Sequence, residues 1–170
     1  MMLSSIVEQS HRKKVLFLTG TRADFGKQKP LILELQNKTD FEVHVFVTGM
    51  HTLSRYGATW DEVRKSGVEQ FHIFINQGAG DGMDLILSKT ISGLSDYVKE
   101  LTPDLIVIHG DRLEALAGSI VGTFNNILVA HIEGGEVSGT VDEAIRHSVS
   151  KLSHIHFVSN EEARVRLRAM

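Results

Sequence analysis

The chain has 170 residues, a length that usually forms one domain and lets about 70% of the unfolded chain's surface be buried. The charged fraction is 23% and the formal net charge is −3, so neither a nucleic-acid footprint nor a polybasic membrane anchor is expected. Cysteine is absent, which excludes disulfides, thiol catalysis and thiolate metal sites. Residues 1–14 have no secretion-signal pattern, and no apolar run approaches the roughly 20 residues that span a bilayer. We therefore expect a cytoplasmic protein whose partners include neither nucleic acid nor membrane.

Short apolar runs alternate with helical segments along the chain. Continuous apolar runs of this kind are typical of buried parallel strands, and they predict six strands, at 15–19, 43–47, 71–75 and 105–108 and near 127–130 and 155–158. Helices are predicted over 26–38, 59–66, Met83–Leu101 and Val141–Leu152. The clearest apolar stripe at 3.6-residue spacing lies in Met83–Leu101.

Strands separated by helices indicate βαβ units and a parallel sheet with right-handed crossovers. We predict an α/β fold over residues 13–170, a Rossmann-like parallel sheet of about six strands flanked by helices, after a disordered leader at 1–12. In the expected strand order 3-2-1-4-5-6, the switch point lies between strands 1 and 4. The loops after Thr19 and His109 should therefore face each other across a crevice, and the loop after Ala130 should line its next edge.

The first motif expected at this crevice is GTRADFGK, at residues 20–27. It is not a P-loop, because five residues instead of four separate its glycines and Gln28 follows the lysine. Glycines and a helix N-terminus still suit an anion, and Arg22 and Lys27 add positive charge. The alternative is a tight strand-to-helix turn with solvated basic residues.

The second motif is HGDRLE, at residues 109–114. Asp111 followed three residues later by Glu114 matches a helix capping box. The alternative makes Asp111 a base or an electrostatic group at the switch point, and one residue can serve both purposes.

The third motif is HIEGGE, at residues 131–136, followed closely by DEAIRH at 142–147. Thr140 and Glu143 match another capping box, which occupies Glu143. Asp142 and Arg146 lie four residues apart on one helix flank and can pair, so Asp142 is the better functional candidate. Glu133 leaves its strand beside two glycines, where the backbone can approach a ligand closely.

The histidines of this region are not at a metal-binding spacing. Most of them are expected to be hydrogen-bonded structural groups or surface residues. We expect no metal and no cofactor.

The three motifs occur together, in order, in a known family. GTRADFGK, HGDRLEAL and HIEGGEVSGT resemble the hydrolysing UDP-N-acetylglucosamine 2-epimerases, most of all their sialic-acid-pathway branch, and the likeness runs from about Lys13 to the end of the chain. The resemblance implies the N-terminal half of a two-domain GT-B-type fold, with the C-terminal nucleotide-binding domain absent from this chain. It also implies a homo-oligomer in full-length form.

The resemblance implies a reaction on a nucleotide-sugar substrate in two stages. UDP leaves C1 as the C2 proton is removed, which gives a 2-acetamidoglucal; water then adds and a proton returns to the other face, giving N-acetylmannosamine. Such chemistry needs carboxylates around the sugar and cations on the diphosphate. Carried over by motif, the acid/base set is Asp111, Glu133 and Asp142, and the substrate-binding set is Arg22, Lys27, Arg146 and His147. In this set Arg146 would orient Asp142.

Two features limit what the resemblance implies. Without the second domain, the chain should turn over little or no substrate. The family's other branch binds a regulatory substrate molecule through a Gln-His pair, which reads Met50-His51 here. Two alternatives stay open: an epimerase for a related nucleotide-linked amino sugar, of the legionaminic-acid type, and a non-catalytic nucleotide-sugar-binding module.

Overall fold

Six parallel strands form a single sheet in the computed structural model, which describes residues 12–170. The strands are β1 (Lys13–Thr19), β2 (Phe41–Val47), β3 (Phe71–Ile73), β4 (Leu105–His109), β5 (Leu128–Ile132) and β6 (Ile155–Phe157). Their spatial order is β3-β2-β1-β4-β5-β6, and every neighbouring pair is parallel. The predicted fold class and strand order are confirmed. The predicted leader lies, apart from its last residue, outside the described residues.

Six α-helices connect and flank the strands. They are α1 (Arg22–Gln36), α2 (Trp60–Lys65), α3 (Met83–Leu101), α4 (Leu113–Phe124), α5 (Val141–Leu152) and α6 (Glu161–Ala169). Two short 3-10 turns, Gly49–Thr52 and Ser54–Tyr56, precede α2. Among residues 12–170, no helix combines the length and the apolar character that crossing a membrane requires.

The four inner strands, β1, β2, β4 and β5, are buried on both faces over most of their length, which explains why their sequences are continuously apolar. Successive side chains of a strand point to opposite faces, so Leu16 and Leu18 of β1 join a core with residues of α3, α4 and α5. Val15 and Phe17 join a second core with residues of α1 and α2. The result is three layers, with a hydrophobic core on each side of the sheet.

Helix α1 begins four residues before its predicted start. The Thr21 hydroxyl accepts a hydrogen bond from the Asp24 backbone N–H at 3.3 Å, and the Asp24 carboxylate accepts one from the Thr21 N–H at 3.1 Å. This reciprocal capping box closes the first turn immediately after β1. Arg22, which was expected to precede the helix, therefore lies on it.

Helix α4 packs closely on the centre of the sheet because it carries a glycine there. A Cβ atom at Gly118 would lie 2.7 Å from Ile108 Cγ2 and 2.8 Å from Leu18 Cδ2. These distances are too short for a methyl group unless α4 moves away from β1 and β4.

We predict opposite stability effects for alanine at two helical glycines. Gly118→Ala should lower the free energy of unfolding by about 1–3 kcal/mol through overpacking. Gly26→Ala is the matched control, since it is exposed in α1 and its Cβ would have nothing within 4 Å; it should stabilise by about 0.5–1 kcal/mol. Urea unfolding of both variants measures the difference. Equal effects at the two sites would contradict the close packing of α4.

Candidate active site

A crevice opens at the carboxyl ends of β1, β4 and β5, where the strand order reverses. Its volume is about 260 Å³, slightly below the ~300–1,000 Å³ of pockets for drug-sized ligands. The lining residues are Thr21, Ala23, Asp24, His109, Gly110, Asp111, Arg112, Glu133, Glu136 and Arg146. The predicted convergence of the three motifs is confirmed, because each of them contributes to this lining.

Asp24 occupies the turn between β1 and α1. Its carboxylate accepts hydrogen bonds from the Thr19 hydroxyl at 2.5 Å and from the Gly20 N–H at 3.0 Å, besides that from Thr21. Two N–H groups that could have bound a ligand anion are therefore occupied by a carboxylate of the protein itself. The sequence signal that marks Asp24 is the Thr-x-x-Asp pattern of a helix capping box, formed by Thr21 and Asp24.

Glu133 stands in the crevice beside a lysine and a histidine. Lys27 Nζ lies 2.6 and 2.7 Å from its two carboxylate oxygens, and His109 Nε2 lies 3.1 Å from Oε2. Partial burial acts to raise the pKa of Glu133, but the hydrogen bonds and positive charge of Lys27 and His109 outweigh it and keep this pKa below its ordinary value. Glu133 is therefore held as a carboxylate.

Asp111 lines the crevice and pairs with Arg146 of α5. The N-cap residue of α4 is Arg112, and its side chain makes no capping hydrogen bond. The predicted capping box of Asp111 and Glu114 is therefore wrong. Glu114 instead turns into the core, where its Cδ would lie 2.7 Å from a Cβ on Gly20. Burial raises the pKa of Glu114. The Asp111 carboxylate therefore does not cap α4; it lines the crevice and pairs with Arg146.

Asp142 lies outside the crevice, and its predicted pairing with Arg146 is wrong. The Arg146 side chain is only 13% exposed and reaches Asp111 across the sheet edge, where less solvent screens the attraction than at the exposed Asp142. Asp142 lines a separate pocket of about 170 Å³, which Arg112 also borders. Arg112 is thus a lining residue of both pockets.

Glu143 is a structural residue, as its position in the helix predicted, although its partners differ. Its carboxylate accepts the N–H groups of Ser138 at 2.8 Å and Gly139 at 2.6 Å, and these bonds lower its pKa. Thr140 is the N-cap residue of α5, but its side chain makes no capping hydrogen bond. The predicted capping box of Thr140 and Glu143 therefore does not form. His147 lies 3.8 Å from Glu143 and is not among the residues that line the crevice.

Arg22 also lies away from the crevice. Its Nε is 3.0 Å from Glu62 Oε2, and it borders a different pocket beside Met50 and Tyr56. The neighbouring His51 is 1% exposed, with its two ring nitrogens 3.0 Å from the Thr19 hydroxyl and 2.7 Å from that of Thr59. His51 thus ties the exit of β1 to the segment before α2.

His131 is a buried structural histidine behind the crevice, in agreement with the restrained interpretation of the histidines. Its Nε2 lies 2.7 Å from the Gly110 carbonyl oxygen, and its Nδ1 lies 3.1 Å from the Ser150 hydroxyl. Burial lowers the pKa of His131 to about 4. The neutral ring therefore donates to Gly110 and accepts from Ser150, which joins β5 to the Asp111 loop and to α5.

Four ionisable residues of the crevice were not selected from the sequence as functional. They are Asp24, His109, Arg112 and Glu136. His109 and Glu136 were quoted within motifs, but nothing in their spacing separates them from solvent-exposed loop residues.

Known proteins share the sequence pattern and the fold of this chain. Residues 33–170 match the sequence model of the family described as UDP-N-acetylglucosamine 2-epimerase. The chain belongs to that family. Over 158 residues it is 53% identical to the UDP-N-acetylglucosamine 2-epimerase of Neisseria meningitidis serogroup B, covering 93% of this chain and 42% of that protein.

More distant members of the UDP-N-acetylglucosamine 2-epimerase family also match. The UDP-N,N'-diacetylbacillosamine 2-epimerase (hydrolyzing) of Legionella pneumophila is 38% identical over 164 residues, which cover 93% of this chain and 43% of that protein. Among solved structures, the Neisseria meningitidis UDP-GlcNAc 2-epimerase bound to UDP-GlcNAc has a TM-score of 0.82 at 28% identity, covering 92% of this chain and 42% of that one. A lipopolysaccharide outer core galactosyltransferase shares the fold alone, at 11% identity and a TM-score of 0.64. The chain thus spans about 42% of the length of the relatives it matches first.

We predict that His131 makes the epimerase domain less stable in acid. Between about pH 6.5 and 4 an unfolded histidine takes up a proton while folded His131 stays neutral, so stability falls as the pH drops through this window. For His131 alone the loss is on the order of 3 kcal/mol. Urea unfolding from pH 7 to 4 should show a steeper loss in the wild type than in His131→Asn. Exposed His72→Asn should keep the wild-type slope, and equal slopes in all three proteins would refute the assignment.

Proposed function

We propose that this chain provides one wall of the active site of a hydrolysing UDP-N-acetylglucosamine 2-epimerase. The reaction would release UDP and N-acetylmannosamine for sialic-acid-type sugar synthesis in the cytoplasm. The observation that carries the proposal is the pair of carboxylates, Asp111 and Glu133, that line one crevice at the switch point. Each of them is fixed by a cationic side chain from a different helix.

The first stage of the proposed reaction is an elimination across C1 and C2. A carboxylate takes the C2 proton, the C–H electrons form the C1=C2 bond, and the C1–O bond to UDP breaks. Glu133 suits the role of base, because Lys27 and His109 keep it ionised. Asp111, positioned by Arg146, would then serve as the second proton-transfer group.

The roles proposed for the residues other than Asp111 and Glu133 rest on different observations. Arg22 and Lys27 lie in the first motif, and their positive charge would attract the diphosphate. Lys27 also pairs with Glu133. Asp142 and His147 lie away from the crevice lining, so their roles follow from the resemblance alone. Arg146 is supported by the structure as the partner of Asp111 rather than of Asp142.

We propose that a second, Rossmann-like nucleotide-binding domain completes the active site. The relatives are more than twice as long as the matched region, and the crevice here is small for a whole nucleotide sugar. We propose that the second domain binds the UDP moiety, covers the sugar in the crevice, and completes a homo-oligomeric enzyme. An open reading frame continuing beyond codon 170 into such a domain is the direct genetic test.

A related nucleotide-linked amino sugar is the second candidate substrate. The relatives from Legionella pneumophila and Campylobacter jejuni are named as epimerases of UDP- or GDP/UDP-N,N'-diacetylbacillosamine, at 38% and 36% identity. The higher identity of 53% to a UDP-N-acetylglucosamine 2-epimerase favours the first candidate. Comparing kcat/KM for the two nucleotide sugars in the complete protein decides between them.

Neutral amides in place of the two crevice carboxylates should abolish most catalysis. In the complete protein, Asp111→Asn and Glu133→Gln should each lower kcat by about 100- to 10,000-fold, because each would lose a proton-transfer group. Glu133→Gln, which has the exposed Lys27 as its partner, should change the free energy of unfolding by about 1 kcal/mol, and Asp111→Asn should cost more because its partner Arg146 is mostly buried. Exposed Glu100→Gln on α3 is the control and should leave kcat unchanged. Near-normal rates in both variants would show that the acid/base assignment is wrong, whereas no turnover by the wild-type protein would favour a non-catalytic binding module.

The isolated 170-residue chain should fold but release little or no UDP from UDP-N-acetylglucosamine. The physical reason is that the proposed second domain would supply most of the contacts to the nucleotide and exclude water from the sugar. Circular dichroism and a coupled UDP assay measure the two properties on one sample. Multiple turnovers by the folded isolated chain would contradict the two-domain proposal.

A further inference from the structure

Glu136 is a carboxylate of the crevice that the proposed first stage does not use. It lines the same cavity as Asp111 and Glu133 and is partly buried. The second stage of the proposed reaction adds water to a sugar carbon, and this step also needs a group that accepts a proton. Glu136 is therefore a candidate for a separate chemical role.

Helix α6 fixes the position of Glu136. Asn160 Nδ2 donates to Glu136 Oε1 at 2.8 Å, while Asn160 Oδ1 accepts the N–H of Ala163 at 2.8 Å and caps the helix. Because the amide oxygen is committed to the cap, the NH2 group must face the carboxylate. The loop is held again at the preceding residue, where Arg166 donates to the Gly135 carbonyl.

The loop that contains Gly135 and Glu136 packs directly against the backbone of α6. Gly135 has a φ of +80°, and a Cβ there would lie 2.7 Å from the Ala163 carbonyl oxygen. A larger residue would push the loop, and Glu136 with it, off the helix. Glu136 is thus a positioned side chain and not a mobile surface acid.

The charge around Glu136 differs from that around the other crevice carboxylates. Asp111 pairs with an arginine, Glu133 with a lysine and a histidine, and Asp24 accepts three hydrogen bonds from its own turn. In residues 12–170, the hydrogen bond to Glu136 comes from a neutral amide and reaches Oε1. Because this bond engages Oε1 and no ion pair holds Glu136 among the described residues, its second oxygen can accept a hydrogen bond from a water molecule or substrate.

We propose that Glu136 is the general base that activates water in the second stage, an inference that rests on the proposed function. The water oxygen bonds to C1 of the 2-acetamidoglucal, and the water proton passes to Glu136. The electrons of the C1=C2 bond take a proton at C2 from one of the acid/base pair described above. The sum is addition of one water, and Glu136 afterwards returns its proton to solvent.

The test separates the two stages in the complete protein, meaning this chain together with its proposed second domain. Glu136→Gln keeps the shape and the contact region but cannot take a proton. It should release UDP at a near-normal rate in a single turnover, while hydration of supplied 2-acetamidoglucal slows about 100-fold or more. Proton NMR of the sugar should show 2-acetamidoglucal accumulating in place of N-acetylmannosamine.

A second variant and a control test whether position matters. Asn160→Ser keeps a good helix cap but removes the amide that holds Glu136, so it should shift the ratio of 2-acetamidoglucal to N-acetylmannosamine in the same direction and by less. Exposed Glu162→Gln on α6 should leave the ratio unchanged. Thermal unfolding of each variant checks that the fold is intact.

The outcomes distinguish this inference from the proposed function. A wild-type protein that releases no UDP from the nucleotide sugar refutes the proposed function. A wild type that forms UDP and N-acetylmannosamine, with an unchanged product ratio in Glu136→Gln, refutes the role of Glu136 alone. Equal slowing of both stages also refutes it, because a merely structural carboxylate would produce that result.

Discussion

The pairing of β1 with β2 on one side and with β4 on the other is the constraint on which the site depends. The chain builds outward from β1 to β3, returns across the sheet through α3, and continues from β4 to β6. The connections after β1 and β4 therefore lead to opposite faces of the sheet, and a gap remains between them. The crevice residues are His109, which ends β4, and residues of the segments that follow β1, β4 and β5.

Charge balance in the crevice is a tertiary property. Lys27 and Glu133 are 106 residues apart in sequence, and Arg146 and Asp111 are 35 apart. Their carboxylates gain cationic partners only when α1 and α5 are both docked on the sheet. Docking of the helices and ionisation of the carboxylates are therefore linked: a displaced α1 would leave Glu133 in a partly buried site without Lys27, where burial favours the protonated form.

The layout of the fold follows from the sequence, because continuous apolar runs alternating with amphipathic segments admit few other arrangements. The placement of Asp111 and Glu133 follows too, since both come directly after strands at the switch point. The hydrogen-bond and ion-pair partners of the charged side chains do not follow from the sequence. Thr21 with Asp24 and Asp111 with Glu114 show the same capping pattern, yet only the first forms a cap, because Glu114 is taken into the core. Spacing likewise favoured Asp142 for Arg146, whereas a less exposed carboxylate across the sheet edge binds it.

The attachment of α6 to the Gly135–Glu136 loop has a consequence for how this protein can be divided. Although α6 follows the last strand, two of its side chains hold a loop that belongs to the crevice. A chimera joined between β6 and α6 would separate a loop of the crevice from its support, even though it would leave the entire sheet intact. The natural point for joining this domain to the sequence of a relative therefore lies after α6, and an unchanged α6 should accompany the sheet in any such exchange.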